Sequence, residues 1–345
     1  MQHLKTAIAC RAKFMTRDNK HSFLISLLSG VVFGCIFTCL ILINFKNNVP
    51  DNLKKKLITA NENYLRQLTN TEETGANENQ NISLLCWIMT QPRNHATKAV
   101  HVKTTWGKRC NILLFMSSKE DVSLPAIKLR VWEDRQFLWS KTKYAFKYVY
   151  KHYFDKADWF LKADDDTYVI IENLKYLLSS QSTLEPVFLG FPCNRHDMKQ
   201  GFLAGGAGYV LSKTTLRKFI TEALPDYDKC QFSDIGDEDV EISKCMENIG
   251  VKVRNTRDSI GKERFFQIPT ELILSNVSDN KALLWYNNRS YYPPLQGHNC
   301  CSDAAISFHY ITPEMMYVIE KLVYQLKPHA IYRKMDNINI SDISP

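Results

Sequence analysis

The chain has 345 residues, 45% hydrophobic and 23% charged, a globular balance with room for a sizeable core. Length allows one large domain or two small ones. Its net charge of +8 is moderate and its basic residues are scattered, with no run beyond Lys54-Lys55-Lys56, which speaks against a nucleic-acid partner.

In chain order, the first feature is SFLISLLSGVVFGCIFTCLILINF, residues 22–45. It carries no charge and is long enough for a helix to cross ~30 Å of hydrocarbon. No small-residue cleavage site follows it, as a secreted leader would require. Lys5, Arg11, Lys13, Arg17 and Lys20 precede it, but Lys46 and Lys54 to Lys56 follow, so charge alone leaves the orientation open. The sequons at Asn81, Asn276, Asn288 and Asn339 all lie after the span, as do seven of the ten cysteines. Together they predict a single-pass type II membrane protein with a lumenal body.

Residues 1–21 are then a cytoplasmic tail. Residues 46–80, poor in apolar residues and ending TEETGANENQ, form a solvated stem. The folded domain is expected over 81–333, with a short tail at 334–345. Within it, ISLLCWIMT (82–90) and NILLFMSS (111–118) read as buried strands, with a helix between them ending near Gly107. Arg135 to Phe154 is helical in spacing. WFLKADDDTYVII (159–171) reads as a third strand broken by acids, and ENLKYLLSS (172–180) as a helix. PVFLG, a glycine-rich turn and KTTLRKFITEAL repeat the pattern. This alternation predicts an α/β sheet of parallel strands, whose ligands sit beyond the carboxyl ends of the strands.

Seven lumenal cysteines cannot all pair within one chain. Proximity along the chain favours Cys86 with Cys110 and Cys230 with Cys245. Cys193, Cys300 and Cys301 then compete for what remains.

Asp164-Asp165-Asp166 stands at the expected end of a strand. A solvated turn is the common explanation for such a triplet. A calcium loop needs acids at alternate positions over about twelve residues with a central glycine, and lacks both here. A divalent-metal site for a nucleotide diphosphate suits the setting better. Acids inside an apolar element need a compensating cation, and Asp164 and Asp166 can face one side of an extended chain. Without a cation the triplet should destabilise its own strand end.

Transfer with inversion also needs a carboxylate base. GDEDVEISKCME (236–247) offers Glu238 and Asp239 at the start of a helix, where the macrodipole favours acids in any case. GFLAGGAGYVLS (201–212) lets backbone approach a ligand closely or simply turns; it has neither a dinucleotide fingerprint nor a P-loop lysine. The aromatic stretch 285–310 suits sugar stacking or a core. His309 within it is either a core histidine or a third metal ligand.

Taken together, LCWIMT, HVKTTW, RCNILLFMSS, ADWFLKADDDTYVIIENL, GGAGYVLS, EDV, YYPP and CCSDAAISFHY, in that order, resemble the family 31 inverting glycosyltransferases, most closely its core 1 β1,3-galactosyltransferases. The resemblance implies a GT-A, Rossmann-like α/β fold in the Golgi or late ER membrane. It implies transfer of galactose from UDP-galactose to the 3-hydroxyl of GalNAc-α-Ser/Thr on a glycoprotein, with Mn²⁺. By matching positions it implies Asp164, Asp166 and His309 as metal ligands and Asp239 as general base. Thr90, Lys103, Lys141 and Asp165 fall on the donor side; Trp285, Tyr286 and Gly206 fall on the acceptor side.

Departures from the family pattern are Asn287 where a second tryptophan is expected, Ser243 where glycine is expected, and the extra Cys193. Other readings are a family 31 enzyme with another donor or acceptor, or a non-catalytic chaperone for such a transferase. The intact Asp164–Asp166, Asp239 and His309 favour the enzyme, for which a homodimer and a dedicated chaperone are conceivable partners.

Overall fold

The computed structural model describes residues 82–274 and 280–326. The expected tail, span, stem and C-terminal tail, with Asn81, Asn276 and Asn339, lie outside the described residues. Among the described residues no helix is long and apolar enough to cross a membrane.

Strand β1 (Leu84–Met89) is apolar at every position because both its faces are covered. Leu84, Cys86 and Ile88 join one core cluster, and Leu85, Trp87 and Met89 join the other. Short helical turns follow between Pro92 and Arg109, with α1 (Val100–Thr104) among them. Next come β2 (Ile112–Ser117), β3 (Ala126–Lys128) and α2 (Leu138–Tyr153). Trp139, Phe146 and Val149 recur at helical spacing on the buried side of α2, and Phe146 meets Trp87 edge-on at 5.1 Å.

The chain continues through β4 (Trp159–Asp164), β5 (Tyr168–Val169), α3 (Ile171–Ser179), β6 (Val187–Gly190), β7 (Pro192–Cys193), β8 (Phe202–Leu203) and β9 (Tyr209–Ser212). Then follow α4 (Lys213–Lys218), α5 (Glu238–Asn248), β10 (Lys252–Val253), β11 (Phe265–Phe266) and α6 (Thr270–Leu274). The last elements are α7 (Lys281–Arg289), β12 (Ser307–Phe308) and α8 (Pro313–Tyr324). Asn280 caps α7 by accepting from the backbone of Ala282 and Leu283.

The main sheet has the order β10-β6-β9-β4-β1-β2-β3. Its strands are parallel except β9, which runs antiparallel to both β4 and β6. The all-parallel expectation is therefore corrected to a mixed, parallel-rich α/β sheet. No helix intervenes between β6 and β9, and a return without a crossover places the second strand antiparallel.

The predicted third strand also divides. Its second half, β5, leaves the main sheet and pairs antiparallel with β12, which lies beside β11. This small sheet aligns Phe308 with Tyr168, so residue 309 arrives beside the acidic triplet from more than 140 positions away.

Cys86–Cys110 and Cys230–Cys245 are bonded as expected, and Cys300 pairs with its neighbour Cys301. Among the described residues Cys193 is the unpaired thiol, buried in β7. The Cys230–Cys245 bond ties α5 to the loop before it; closing a loop of that length typically contributes about 3 kcal/mol.

Candidate active site

Strand β4 ends at Asp164, directly opposite Met89 at the end of β1. The two carboxyl ends thus set Thr90 beside the triplet, and a cleft of about 610 Å³ opens there. Thr90, Lys141, Asp164, Asp165, Asp166, Gly205, Gly206, Asp239 and His309 all line it.

The three aspartates have separate roles. Asp164, Asp166 and His309 place one ligand atom each within 4.8 Å of one another, a group able to hold a divalent cation. His309 Nε2 lies 3.2 Å from Asp166 and 3.7 Å from Asp164, while its Nδ1 is buried with no hydrogen-bond partner among the described residues. Asp165 turns away: it accepts from Thr90 Oγ1 at 2.7 Å and Asn94 Nδ2 at 2.8 Å. Burial raises its carboxyl to about 6 against those two bonds. Its place is in support of the loop. Burial also pushes Asp166 upward, but His309 and Lys98 outweigh it and hold the carboxyl below the usual range.

The expectation that the triplet destabilises its strand without a metal is corrected by two lysines. Lys162, fully buried, reaches Asp164 and Glu238 at 2.7 Å each and Gly205 O at 3.1 Å. Lys98 lies 2.9 Å from Asp166. Burial disfavours the Lys162 charge, yet Asp164 and Glu238 raise its pKa. Glu238 has only a shared ammonium and sits in the core beside other acids, so burial lifts it to about 7. Its second oxygen accepts from the Tyr209 hydroxyl at 3.0 Å. Sequence reasoning missed both lysines. The one available signal for Lys162 was a lone charge inside a strand apolar enough to be buried on both faces.

Asp239 sits in the first turn of α5, where the macrodipole would favour it anyway. Its Oδ2 accepts from Gly205 N at 3.0 Å, and the residue lines the same cleft as Asp164, Asp166 and His309. Burial raises its pKa, only partly countered by the Gly205 N–H. Ser243, at the family's glycine position, donates to Asp239 O at 2.7 Å and accepts from Leu203 N at 3.1 Å, joining α5 to β8.

The glycine-rich turn packs tightly and lines the cleft. Gly208 has φ +77°, a left-handed conformation that side chains resist. A Cβ on Gly206 would clash with the His309 ring. Gly206→Ala should therefore swing the imidazole away from the carboxylates and raise the half-saturating metal concentration for activity by roughly 10–100-fold, the range for losing a ligand's support. A metal titration checks this; an unchanged curve would remove Gly206 from the site.

The remaining expected residues divide. Lys141 lines the cleft, but its buried amine is engaged by Glu133 and Thr90 O, and burial lowers its pKa. Lys103 is not among the cleft-lining residues; its amine donates to Ser123 O. Residue spacing could not tell which face of so short a helix would meet the cleft. Trp285 is 41% exposed and lines an adjoining cavity. Tyr286 is fully buried, stacked on Phe191 at 5.1 Å, so it is a core residue and not an acceptor contact. Asn288 is exposed on α7.

The family described as Fringe-like matches residues 80–286. The chain belongs to the Fringe-like family. That match spans every strand from β1 to β11 and so includes the triplet, the glycine turn and Asp239, while His309 lies beyond it. Glycoprotein-N-acetylgalactosamine 3-beta-galactosyltransferase 1 of Xenopus laevis is 43% identical over 249 residues, covering 72% of this chain and 68% of that protein. A beta-1,3-glucosyltransferase of Mus musculus is 26% identical over 174 residues, 49% of this chain and 34% of that one. A crystal structure of an active-site mutant of LgtC overlaps 71% of this chain and 98% of its own, with 14% identity and a TM-score of 0.40.

Proposed function

We propose that this protein is a metal-dependent β1,3-galactosyltransferase that moves galactose from UDP-galactose to the 3-hydroxyl of GalNAc-α-Ser/Thr on glycoproteins, with inversion. The observation that carries this reading is one cleft holding both a cation-binding group and a separate, half-buried carboxylate, Asp239. The kinship to the Xenopus galactosyltransferase supports the choice of sugars. The domain is then of GT-A type.

Asp164, Asp166 and His309 would hold the cation, and two carboxylates with an imidazole suit Mn²⁺. The chemistry such a cation supplies is neutralisation of the departing diphosphate. Asp239 takes the proton from the acceptor hydroxyl as its oxygen bonds to the anomeric carbon of galactose. The bond from that carbon to UDP breaks on the opposite face, which inverts the centre. Lys162 and Lys98 keep the acids in register before the donor arrives.

The reading extends to location. Three disulfides among the described residues and an exposed Asn288 sequon fit an oxidising, glycosylating lumen. With residues 22–45 as anchor, the protein is a type II protein of the Golgi or late ER membrane, and homodimerisation and chaperone dependence belong to the same proposal.

The test is incubation of the full chain with UDP-galactose, a GalNAc-Thr peptide and Mn²⁺. Formation of a β1,3-linked disaccharide, abolished by chelation and restored by Mn²⁺, is expected. Absence of transfer from any UDP-sugar, with stabilisation of another transferase instead, would make the chain a chaperone.

A further inference from the structure

The cleft continues past Asp239 into a second cavity of about 440 Å³ that shares Arg135, Asp237, Asp239, Gln267 and Tyr310 with the first. A ligand there reaches Asp239 without touching the acidic triplet, as an acceptor must. Arg195 and Arg289 join Arg135 along its wall, and the two continue with His196 into a third, more open concavity of about 400 Å³. The acceptor route is therefore lined by three arginines.

Two of these three charges are unpaired among the described residues, and the third is shared with one acid. The guanidinium groups of Arg135 and Arg289 make no hydrogen bond or ion pair among the described residues. Arg195 uses only Nε, on Asp197 Oδ1 at 2.6 Å. Asp237 and Asp239 are the acids of the second cavity, and Asp239 is occupied by the proton transfer. Arg289 in the last turn of α7 complements the helix dipole, but that role needs only one cation and does not explain three. At the place where a second family tryptophan would offer an apolar face, Asn287 is polar, exposed and bonded to Gln296.

We propose that this enzyme selects anionic acceptors: GalNAc-bearing peptides with carboxylates flanking the glycosylated residue, held by Arg195 and Arg289. The proposal rests on the acceptor side lying beyond Asp239 in the reading above. Arginine suits the task because its planar fork matches a carboxylate and its charge does not titrate.

The experiment compares three labelled GalNAc-Thr peptides with Asp, Ala or Lys flanks, measuring both Kd and kcat/KM with the full chain. The Asp-flanked peptide should bind and react about tenfold better than the Ala-flanked one, a gain fit for two partly exposed ion pairs. The Lys-flanked peptide should rank last. The spread should shrink in about 1 M salt, where the screening length falls to ~3 Å.

In the double variant Arg195→Glu/Arg289→Glu the order should reverse, and Arg289→Gln alone should narrow it. Equal Kd values for all three peptides, or an unreversed order in a double variant with wild-type thermal unfolding, would overturn the proposal. If the binding order holds while no transfer occurs, the cationic groove stands and the galactosyltransferase reading falls. Transfer with no charge preference overturns the groove and leaves the galactosyltransferase reading intact.

Discussion

Asp239→Asn is expected to reduce kcat by roughly 10²–10⁴-fold, the usual contribution of a positioned general base, while UDP binding stays close to wild type. The substitution keeps the shape of the side chain, and an amide oxygen can still accept from Gly205 N as the carboxylate does at 3.0 Å. The turn and α5 should therefore hold. On the proposed mechanism, what disappears is the ability to take a proton from the acceptor.

The pH profile carries the same information. Burial raises the Asp239 pKa, so the acid limb of kcat/KM should lie above the ordinary carboxylate range. Activity falls as pH drops through that limb, because the base is then protonated, and the residual activity of the Asn variant should lack it. A fully active variant would assign the base elsewhere, and Glu238 would be the next group to test.

The second large effect is on stability. Lys162→Met strips the shared cation from Asp164 and Glu238, leaving Glu238 buried with hydroxyl donors but no opposing charge. Breaking a buried pair in this way typically costs about 3–5 kcal/mol, which for a domain of this size lowers Tm by roughly 10 °C. Adding Glu238→Gln removes one orphaned charge yet keeps an acceptor for the Tyr209 hydroxyl, so the double variant should recover part of the loss.

The sign with pH follows from Glu238, already lifted to about 7 in the folded protein. In Lys162→Met the folded state holds that proton more tightly than the unfolded chain does. The defect should be mild in acid and deepen as pH rises from about 4.5, the usual glutamate value, through 7 and beyond. Thermal melts across that range are the measurement. A single variant within about 1 °C of wild type, or a double variant worse than the single, would refute this account of the buried cluster.

Much of the sheet was readable because strands such as LLCWIM and VFLG are continuous apolar runs, as expected of an element covered on both faces. The direction of β9 was not readable. Direction depends on whether a connection crosses the sheet, and the 18 residues between β6 and β9 contain a small hairpin with no crossover helix. The cysteine pairs were readable where loops are short and left open at Cys300, whose partner is its own neighbour.

By itself, the sequence determined the ingredients of the site: acids at a strand end, an acid opening a helix, a glycine turn, and a histidine in an aromatic segment. Local patterning fixes these because strand ends, helix caps and turns are set by nearest neighbours. Only the tertiary structure decided how they are used. The pairing of β5 with β12 brings His309 to Asp164 and Asp166, and the docking of α5 brings Glu238 to Lys162. It also withdrew Lys103 and Tyr286 from the cleft and supplied Lys98 and Lys162 in compensation. Charge balance in a buried site depends on distances between segments far apart in the chain, and those distances exist only once the sheets have formed.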